Sequence, residues 1–218
     1  MYTLVFDTTA SGIVVGLYED EKKLSVIEKE MEFGQAEELA VGVSSILKQH
    51  QLDFSKIGLL GVCSGPGSFT GVRAGLAFAR GLALGHKNLN ITGVSAFEVY
   101  AHMLKVEDRA VYNAVVIETK RDDFYFQLFD NNLKKLSEPL ALTREEIIRK
   151  LKNHQTSFIG DGVERLLFTP CGLQIKHVEL TGLLSADSLF YATYQKYIAK
   201  TLDFPKPLYI RNADTCVK

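Results

Sequence analysis

One segment constrains the fold more than any other: GPGSFTGVRAGLAFARGLALGH, residues 65–86. The buried strand IGLLGVCSG precedes it, so its Gly65-Pro66-Gly67 turn leads from a strand into a helix that Ser68 or Thr70 can cap. Small residues fill one broad side of that helix, although a glycine inside a helix costs about 0.5–1 kcal/mol relative to alanine. Its internal glycines therefore predict close packing, either within the chain's own core or against a second chain.

The same turn matches phosphate-binding loops poorly. Backbone N–H groups at a helix N-terminus do form an anion site, but Val72-Arg73 follow Gly71 where a P-loop carries its lysine. Thr70 also breaks the GxGxxG pattern of dinucleotide-binding turns. The sequence therefore favours a structural tight turn over a phosphate site.

The hydrophobic pattern predicts an α/β protein with two strand-led halves. Residues 1–104 are expected to follow the order β-β-β-α-β-α-β-α, with helices at 35–50 and 69–86. The stretch KVEDR then opens a second subdomain, residues 105–218. This half is expected to contain a hairpin (AVYNAVVIETK and DDFYFQLFD), a helix capped by Thr143 and Glu146, the strand SFIGDG and a late helix, SADSLFYATYQKYIAK. Residues 163–184 carry no usable signal.

Composition narrows the functional classes. The chain has 218 residues with 25 Lys+Arg against 26 Asp+Glu, and this balance disfavours a protein that grips nucleic acid by itself. The three cysteines, Cys63, Cys171 and Cys216, form no CxxC pair, which is typical of a reducing compartment such as the cytoplasm. The N-terminus has no basic stretch before an apolar run, so we expect no signal peptide, and no apolar run is long enough to predict a membrane span.

A resemblance rests on these motifs. GPGSFTGVRAGLAFARGLALG, with TLVFDTTASGIVVGLYED, GVSAFEVYAHM and PLYIRNA, resembles the bacterial TsaB (YeaZ) family from residue 2 to about residue 212. The resemblance implies an actin/Hsp70/sugar-kinase-like (ASKHA) fold of two related subdomains, each with a mixed sheet and helices. It also implies a part in forming N6-threonylcarbamoyladenosine at position 37 of tRNAs that read codons beginning with A.

The resemblance further implies a non-catalytic subunit and its partners. TsaB-like proteins bind and activate TsaD, the threonylcarbamoyltransferase; the ATPase TsaE joins the pair, and tRNA is contacted only through the complex. They also form homodimers through the TsaD-binding surface, which their first two helices build. The interface residues expected here are Leu39, Val43, Gly71, Arg73, Ala74, Gly75, Ala77, Phe78, Arg80 and Gly81.

An active enzyme is the alternative. Asp7, Thr8, Thr9 and Glu118 mark a vestigial nucleotide site, but DTTA lacks the glycine of the kinase-like DxGT pattern, and Asp7 is better explained as capping a turn through Thr9 or Gly12. Gln35–Leu39 (QAEEL) stands where the catalytic relative has HxxxH, and the five histidines form no pair at helical spacing. We therefore expect no catalytic residue, cofactor or metal.

Three rival functions stay open at this point. The rivals to a non-catalytic subunit are a nucleotide phosphohydrolase that uses Asp7 and Glu118, a metal-dependent glycoprotein peptidase, and a stand-alone tRNA-binding protein. The near-neutral charge counts against the last of these.

Overall fold

The structure, a computed structural model, describes residues 1–86 and 88–211. The chain divides into two units: unit 1 comprises Met1–Lys105 and Thr181–Pro207, and unit 2 comprises Val106–Leu180 with the C-terminal residues from Leu208 onward. Cys216 and the last two residues of PLYIRNA lie outside the described part. Within it, Cys63 and Cys171 are free thiols.

The strands and helices follow in chain order. The strands are β1 (Tyr2–Asp7), β2 (Gly12–Glu19), β3 (Lys22–Glu30), β4 (Ile57–Cys63), β5 (Asn90–Val94), β6 (Tyr112–Glu118), β7 (Asp123–Phe129), β8 (Leu140–Thr143), β9 (Gln155–Ile159) and β10 (Gln174–Glu179). The helices are α1 (Gln35–Gln49), α2 (Phe69–Leu84), α3 (Ala96–Met103), α4 (Arg144–Leu151), α5 (Val163–Leu167) and α6 (Ala186–Ile198). None of the helices in the described ranges is long and apolar enough to cross a membrane.

Unit 1 is built on a mixed five-stranded sheet in the order β3-β2-β1-β4-β5. Strands β3, β2 and β1 pair antiparallel, whereas β4 and β5 continue parallel to β1. Alternating residues such as Leu4, Phe6 and Leu60 face α1 and α2, which bury Leu39 and Leu76 against them. One face of this sheet therefore carries the two helices that the sequence singled out.

The late helix, α6, covers the opposite face of the same sheet. Gly61 lies between two residues that face α1 and α2, so its Cβ position points the other way, and a Cβ there would overlap the side chain of Thr193. The Tyr18 hydroxyl also donates a 2.7 Å hydrogen bond to Asp187 at the start of α6. The expectation that residues 181–207 belong to the second subdomain is therefore wrong, because glycines in the first sheet admit α6 at close range.

A segment after α6, Asp203–Pro205, lies along the free side of β5. Gly93 N–H donates to Asp203 O at 3.2 Å, and Asp203 N–H donates to Thr92 Oγ1 at 3.3 Å. Arg80 on α2 donates from Nη2 to Pro205 O at 2.7 Å. We call this segment the strap; it links the edge of the sheet to α2.

Unit 2 has its own five-stranded sheet, in the order β10-β9-β6-β7-β8. The predicted hairpin is present as β6 and β7, with Ala114 opposite Leu128. The capping box is confirmed, since Thr143 Oγ1 accepts from Glu146 N–H and the Glu146 carboxylate accepts from Thr143 N–H. The region without a sequence signal contains α5 and the edge strand β10.

Candidate functional site

The glycine-rich segment before α2 packs against the chain's own β1–β2 turn. Ser68 N–H donates to Thr9 O at 2.8 Å, and the Thr8 hydroxyl donates to Gly71 O at 2.7 Å. A Cβ at Gly67 or Gly71 would overlap the carbonyl oxygen of Thr9 or Thr8. The glycines therefore permit an approach of two backbones within one unit. Ser68 caps α2, as predicted, by accepting from Gly71 N–H.

Four of the ten expected interface residues are buried within unit 1. Leu39 and Val43 are 0% and 4% exposed in the core beneath α1, Gly71 contacts Thr8, and a Cβ at Gly75 would lie 2.6 Å from Thr8 Oγ1. These four do not line an outer surface, contrary to expectation. Some small residues of α2 contact the β1–β2 turn and others are exposed to solvent, and the sequence alone does not distinguish the two groups.

The remaining six lie on or beside the outer side of α2. Arg73, Ala77 and Gly81 are exposed, whereas Ala74, Phe78 and Arg80 are half-buried. A Cβ at Gly81 would have no neighbour within 4 Å. At 100° per residue, Arg73, Ala77, Arg80 and Leu84 fall within an arc of about 60°.

Exposed apolar side chains accompany this arc. Phe69 and Leu84 on α2 are 56% and 88% exposed, and Val41 on α1 is 61% exposed. The Arg73 guanidinium lies 3.7 Å from the centre of the Phe69 ring. We call Val41, Phe69, Arg73, Ala77, Gly81 and Leu84 the α1–α2 surface; exposed apolar residues around small ones are typical of a protein-binding face.

The carboxylate of Asp7, the first candidate nucleotide-binding residue, forms its hydrogen bonds within its own turn. Its fully buried carboxylate accepts from Thr9 N–H at 2.8 Å and from the Thr9 hydroxyl at 2.7 Å. Burial raises the pKa of Asp7, and the two hydrogen bonds from Thr9 only partly oppose the increase. The prediction that Asp7 caps a turn through Thr9 is confirmed, and Thr8 and Thr9 hold the turn and the start of α2 together.

Glu118, the candidate in unit 2, is engaged by an arginine that sequence reasoning missed. Arg165 on α5 donates to both carboxylate oxygens at 2.7 Å, and Lys120 N–H donates at 2.6 Å. Partial burial raises the pKa of Glu118, but these hydrogen bonds outweigh it and hold that pKa below its usual value. Arg165 lies in the region without a sequence signal.

Asp161 is a second carboxylate beside Glu118. It accepts from Glu118 N–H at 2.9 Å. Burial raises the pKa of Asp161 to about 6, and the nearby charge of Glu118 adds to the increase. The pair ties the end of β6 to the turn that follows β9, which is a structural connection within unit 2.

Metal-ligating side chains do not gather in the described residues. Across 1–86 and 88–211, no three His, Cys, Asp or Glu side chains are grouped so that they could hold a metal ion. Asp108 lies 3.5 Å from His177 Nδ1 and Glu179 lies 3.2 Å from His177 Nε2, and because these are opposite ring nitrogens the three side chains do not converge on one point.

Comparison with known proteins decides the family. The profile of TsaD, tRNA N6-adenosine threonylcarbamoyltransferase, matches residues 34–166. The chain belongs to the TsaD family. It is also 29% identical over 193 residues, 81% of this chain and 79% of the relative, to the tRNA threonylcarbamoyladenosine biosynthesis protein TsaB of Haemophilus influenzae. The TsaB of Buchnera aphidicola is 24% identical over 168 residues, 74% of this chain and 76% of that protein.

Solved structures agree with this membership. YeaZ from Pseudomonas aeruginosa superposes with a TM-score of 0.83 at 19% identity, covering 95% of this chain and 99% of that one. The ethanolamine utilization protein EutJ from Carboxydothermus hydrogenoformans shares the fold with a TM-score of 0.52 at 9% identity, covering 88% of this chain and 90% of EutJ. The resemblance to TsaB (YeaZ) and the ASKHA-like α/β fold are confirmed.

Proposed function

We propose that this chain is a non-catalytic subunit in tRNA threonylcarbamoyladenosine biosynthesis, and that it binds and activates a TsaD-like threonylcarbamoyltransferase. The family and the names of the TsaB relatives support the pathway. The docking role rests on one observation above all, the outer side of α2. There, exposed Phe69 and Leu84 flank Ala77 and Gly81, two residues too small to hold a partner backbone away.

The chemistry of this surface fits a protein partner. Aromatic and arginine side chains dominate the binding energy of protein interfaces, and Phe69 and Arg73 are already stacked on each other. A pre-ordered pair loses little conformational entropy when a partner covers it. The α1–α2 surface therefore has an ordered pair, Phe69 and Arg73, that a partner can bind at one end, and the small residues Ala77 and Gly81 in its middle.

The other partners follow from the same proposal. A homodimer of the isolated chain would use the α1–α2 surface and would compete with the TsaD-like subunit. A TsaE-like ATPase would join the pair, and tRNA would be contacted through the complex, in keeping with 25 basic against 26 acidic residues.

The enzyme alternative gains nothing from the geometry. Asp7 is buried and bonded to Thr9, and Glu118 accepts a two-point contact from Arg165. Either carboxylate would have to give up its hydrogen bonds before it held a magnesium-bound phosphate. Titration calorimetry with Mg-ATP tests this rival: saturable binding that Asp7→Ala removes would revive the phosphohydrolase.

The docking role is tested with a matched pair of substitutions. Ala77→Glu places a charge in the middle of the α1–α2 surface, whereas Ala199→Glu places the same charge on an exposed residue at the end of α6, across the sheet. Each variant is mixed with the TsaD-like protein of the same source and examined by light scattering after size exclusion.

We expect a 1:1 complex with the unaltered chain and with Ala199→Glu, and free subunits with Ala77→Glu. Urea unfolding of both variants checks that neither substitution damages the core. A full complex with Ala77→Glu would count against the α1–α2 surface, and no complex with the unaltered chain would count against the partnership itself.

A further inference from the structure

The exposed surface of α2 continues onto the strap. Arg80 lies on its edge, where its Nη2 donates to Pro205 O at 2.7 Å. The Arg80 guanidinium lies 5.5 Å from the ring centre of Phe204, which is 54% exposed. The strap therefore carries an exposed aromatic ring directly beside the arc of Arg73, Ala77 and Leu84.

The sheet order explains why this ring extends the surface. Helix α1 packs on β2 and β3, α2 packs on β4, and the strap lies along β5. Because β5 follows β4 at the edge of the sheet, the sequence of elements across this side of unit 1 is α1, α2, strap. Phe204 thus stands at the opposite border of α2 from α1.

Two arginine–phenylalanine contacts, which we call the frame, lie on either side of the middle of α2. Arg73 with Phe69 lies at one end and Arg80 with Phe204 at the other. The two arginines are seven residues apart, so their Cα atoms are separated by about 10 Å along the helix axis. The exposed Ala77 lies between the two arginines, and the exposed Gly81 follows Arg80.

The charge of this frame is positive. Helix α2 contains two arginines and no acidic residue. Arg73 forms no ion pair with any carboxylate in residues 1–86 and 88–211, and Arg80 is bonded to a carbonyl oxygen rather than to a carboxylate. Interfaces place opposite charges against each other, so the complementary surface is acidic.

We propose that the strap is part of the docking surface: Phe204, positioned by Arg80, forms a second anchor, and Arg73 and Arg80 receive an acidic face of the partner protein. This inference rests on the proposed function, and it names the chemistry of the TsaD-like partner's contact face. Arg80 acts as a positioning residue, since it holds the strap, and Arg73 is the cation that the partner's carboxylates meet.

The test measures the dissociation constant of the full-length chain with the TsaD-like protein by titration calorimetry. Phe204→Ala removes the second anchor, and Tyr191→Ala removes a comparably exposed ring, 48% exposed, from α6 on the far face of the sheet. Arg73→Glu reverses the charge of the frame, and Lys152→Glu makes the same change at an exposed residue of unit 2.

We expect Phe204→Ala to weaken binding by about ten-fold or more, as loss of an interface aromatic does. We expect Arg73→Glu to weaken binding more than Phe204→Ala does. The two control variants, Tyr191→Ala and Lys152→Glu, should bind with a dissociation constant within about two-fold of that of the unaltered chain. Since Phe204 is half-exposed, its truncation leaves the core intact, which thermal unfolding verifies.

Hydrogen exchange separates positioning from direct contact. Arg80→Lys keeps the positive charge but loses the planar guanidinium; we expect faster exchange of Gly93 N–H, which is bonded to the strap, together with weaker binding. Normal affinity of Phe204→Ala, in a chain whose unaltered form binds, would overturn the strap's role alone. Absence of any complex with the unaltered chain would overturn this inference together with the proposed function.

Discussion

The turn after β1 and the turn after β6 begin alike and are stabilised differently. Each follows the first strand of its unit and starts with a carboxylate, Asp7 in unit 1 and Glu118 in unit 2. Asp7 is fully buried and bonded within its own turn, which α2 covers at backbone distance. Glu118 is partly exposed and paired with Arg165. In unit 1 the glycines admit α2 to the turn itself, whereas in unit 2 Gly160 and Gly162 approach the backbone at the end of β6.

The largest expected effect comes from adding one methyl group to that contact. Gly71→Ala would set a Cβ against the carbonyl oxygen of Thr8, and backbone cannot move aside as a side chain does. We expect a loss of at least about 3 kcal/mol in the free energy of unfolding, measured by urea denaturation.

Gly81→Ala is the matched control on the same helix. Its Cβ would meet nothing within 4 Å, so the higher helix propensity of alanine should stabilise the chain by about 0.5–1 kcal/mol. Equal stabilities of the two variants would contradict the close contact between α2 and the turn.

Asp161 in unit 2 should make the stability of the chain depend on pH. The pKa of Asp161 is raised from 3.8 to about 6, so between these values the folded chain binds more protons than the unfolded chain. The free energy of unfolding therefore falls as pH rises from about 4 to about 6, by about 3 kcal/mol at most. The raised pKa of Asp7 acts in the same direction.

Asp161→Asn should flatten this slope. Glu118→Gln should retain most of it, because the lowered pKa of Glu118 contributes stability that is lost only as pH falls below its ordinary value. Urea unfolding at closely spaced pH values measures both, and an unchanged slope in Asp161→Asn would mean that Asp161 titrates normally.

A smaller difference is expected between the two turns' threonines. Thr9→Val removes the hydroxyl donor to buried Asp7, which should cost about 1–2 kcal/mol. Thr119→Val removes the hydroxyl that donates to Asp123 O in a partly exposed turn, and about 1 kcal/mol or less is expected there. Thermal unfolding compares them; a reversed order would mean that the second turn is the more tightly held.

The smallest effect belongs to the ion pair of unit 2. Arg165 and Glu118 keep 41% and 22% of their side-chain surface, so Glu118→Gln should cost only about 0.5–1 kcal/mol. The loss should shrink when the salt concentration is raised, since screening weakens partly exposed pairs. A salt-independent loss would show that the pair is more enclosed than its exposure indicates.

Local patterns predicted much of the fold. Apolar runs bounded by turn residues located β1, β2 and β3, and the spacing of Thr143 and Glu146 located the start of α4. These signals are carried by residues within one element. By contrast, β8 and β10 contain no buried residue, so no apolar pattern marks them, and α5 has only five residues, too few for a helical period to register.

Contacts between residues that are distant in the sequence could not be predicted from local patterns. Gly71 and Thr8 are 63 positions apart, and nothing in either segment announces that they touch, so Gly71 and Gly75 were assigned to a partner's side of α2. The placement of α6 failed for the same reason, because the glycine that admits it, Gly61, lies far upstream. The exposed half of the candidate surface, Arg73, Ala77 and Gly81, follows from helical spacing alone.

The strap protects an edge strand against aggregation between copies of the chain. A strand at the border of a sheet offers unpaired N–H and C=O groups to any passing strand. Asp203 accepts from Gly93 N–H at the border of β5, while at the other border β3 displays charged ends, Lys22 and Lys23 at one and Lys29 and Glu30 at the other. A chain that stopped at Leu202 would bare β5, and its failure would appear as strand-to-strand aggregation rather than as loss of the helices or the core.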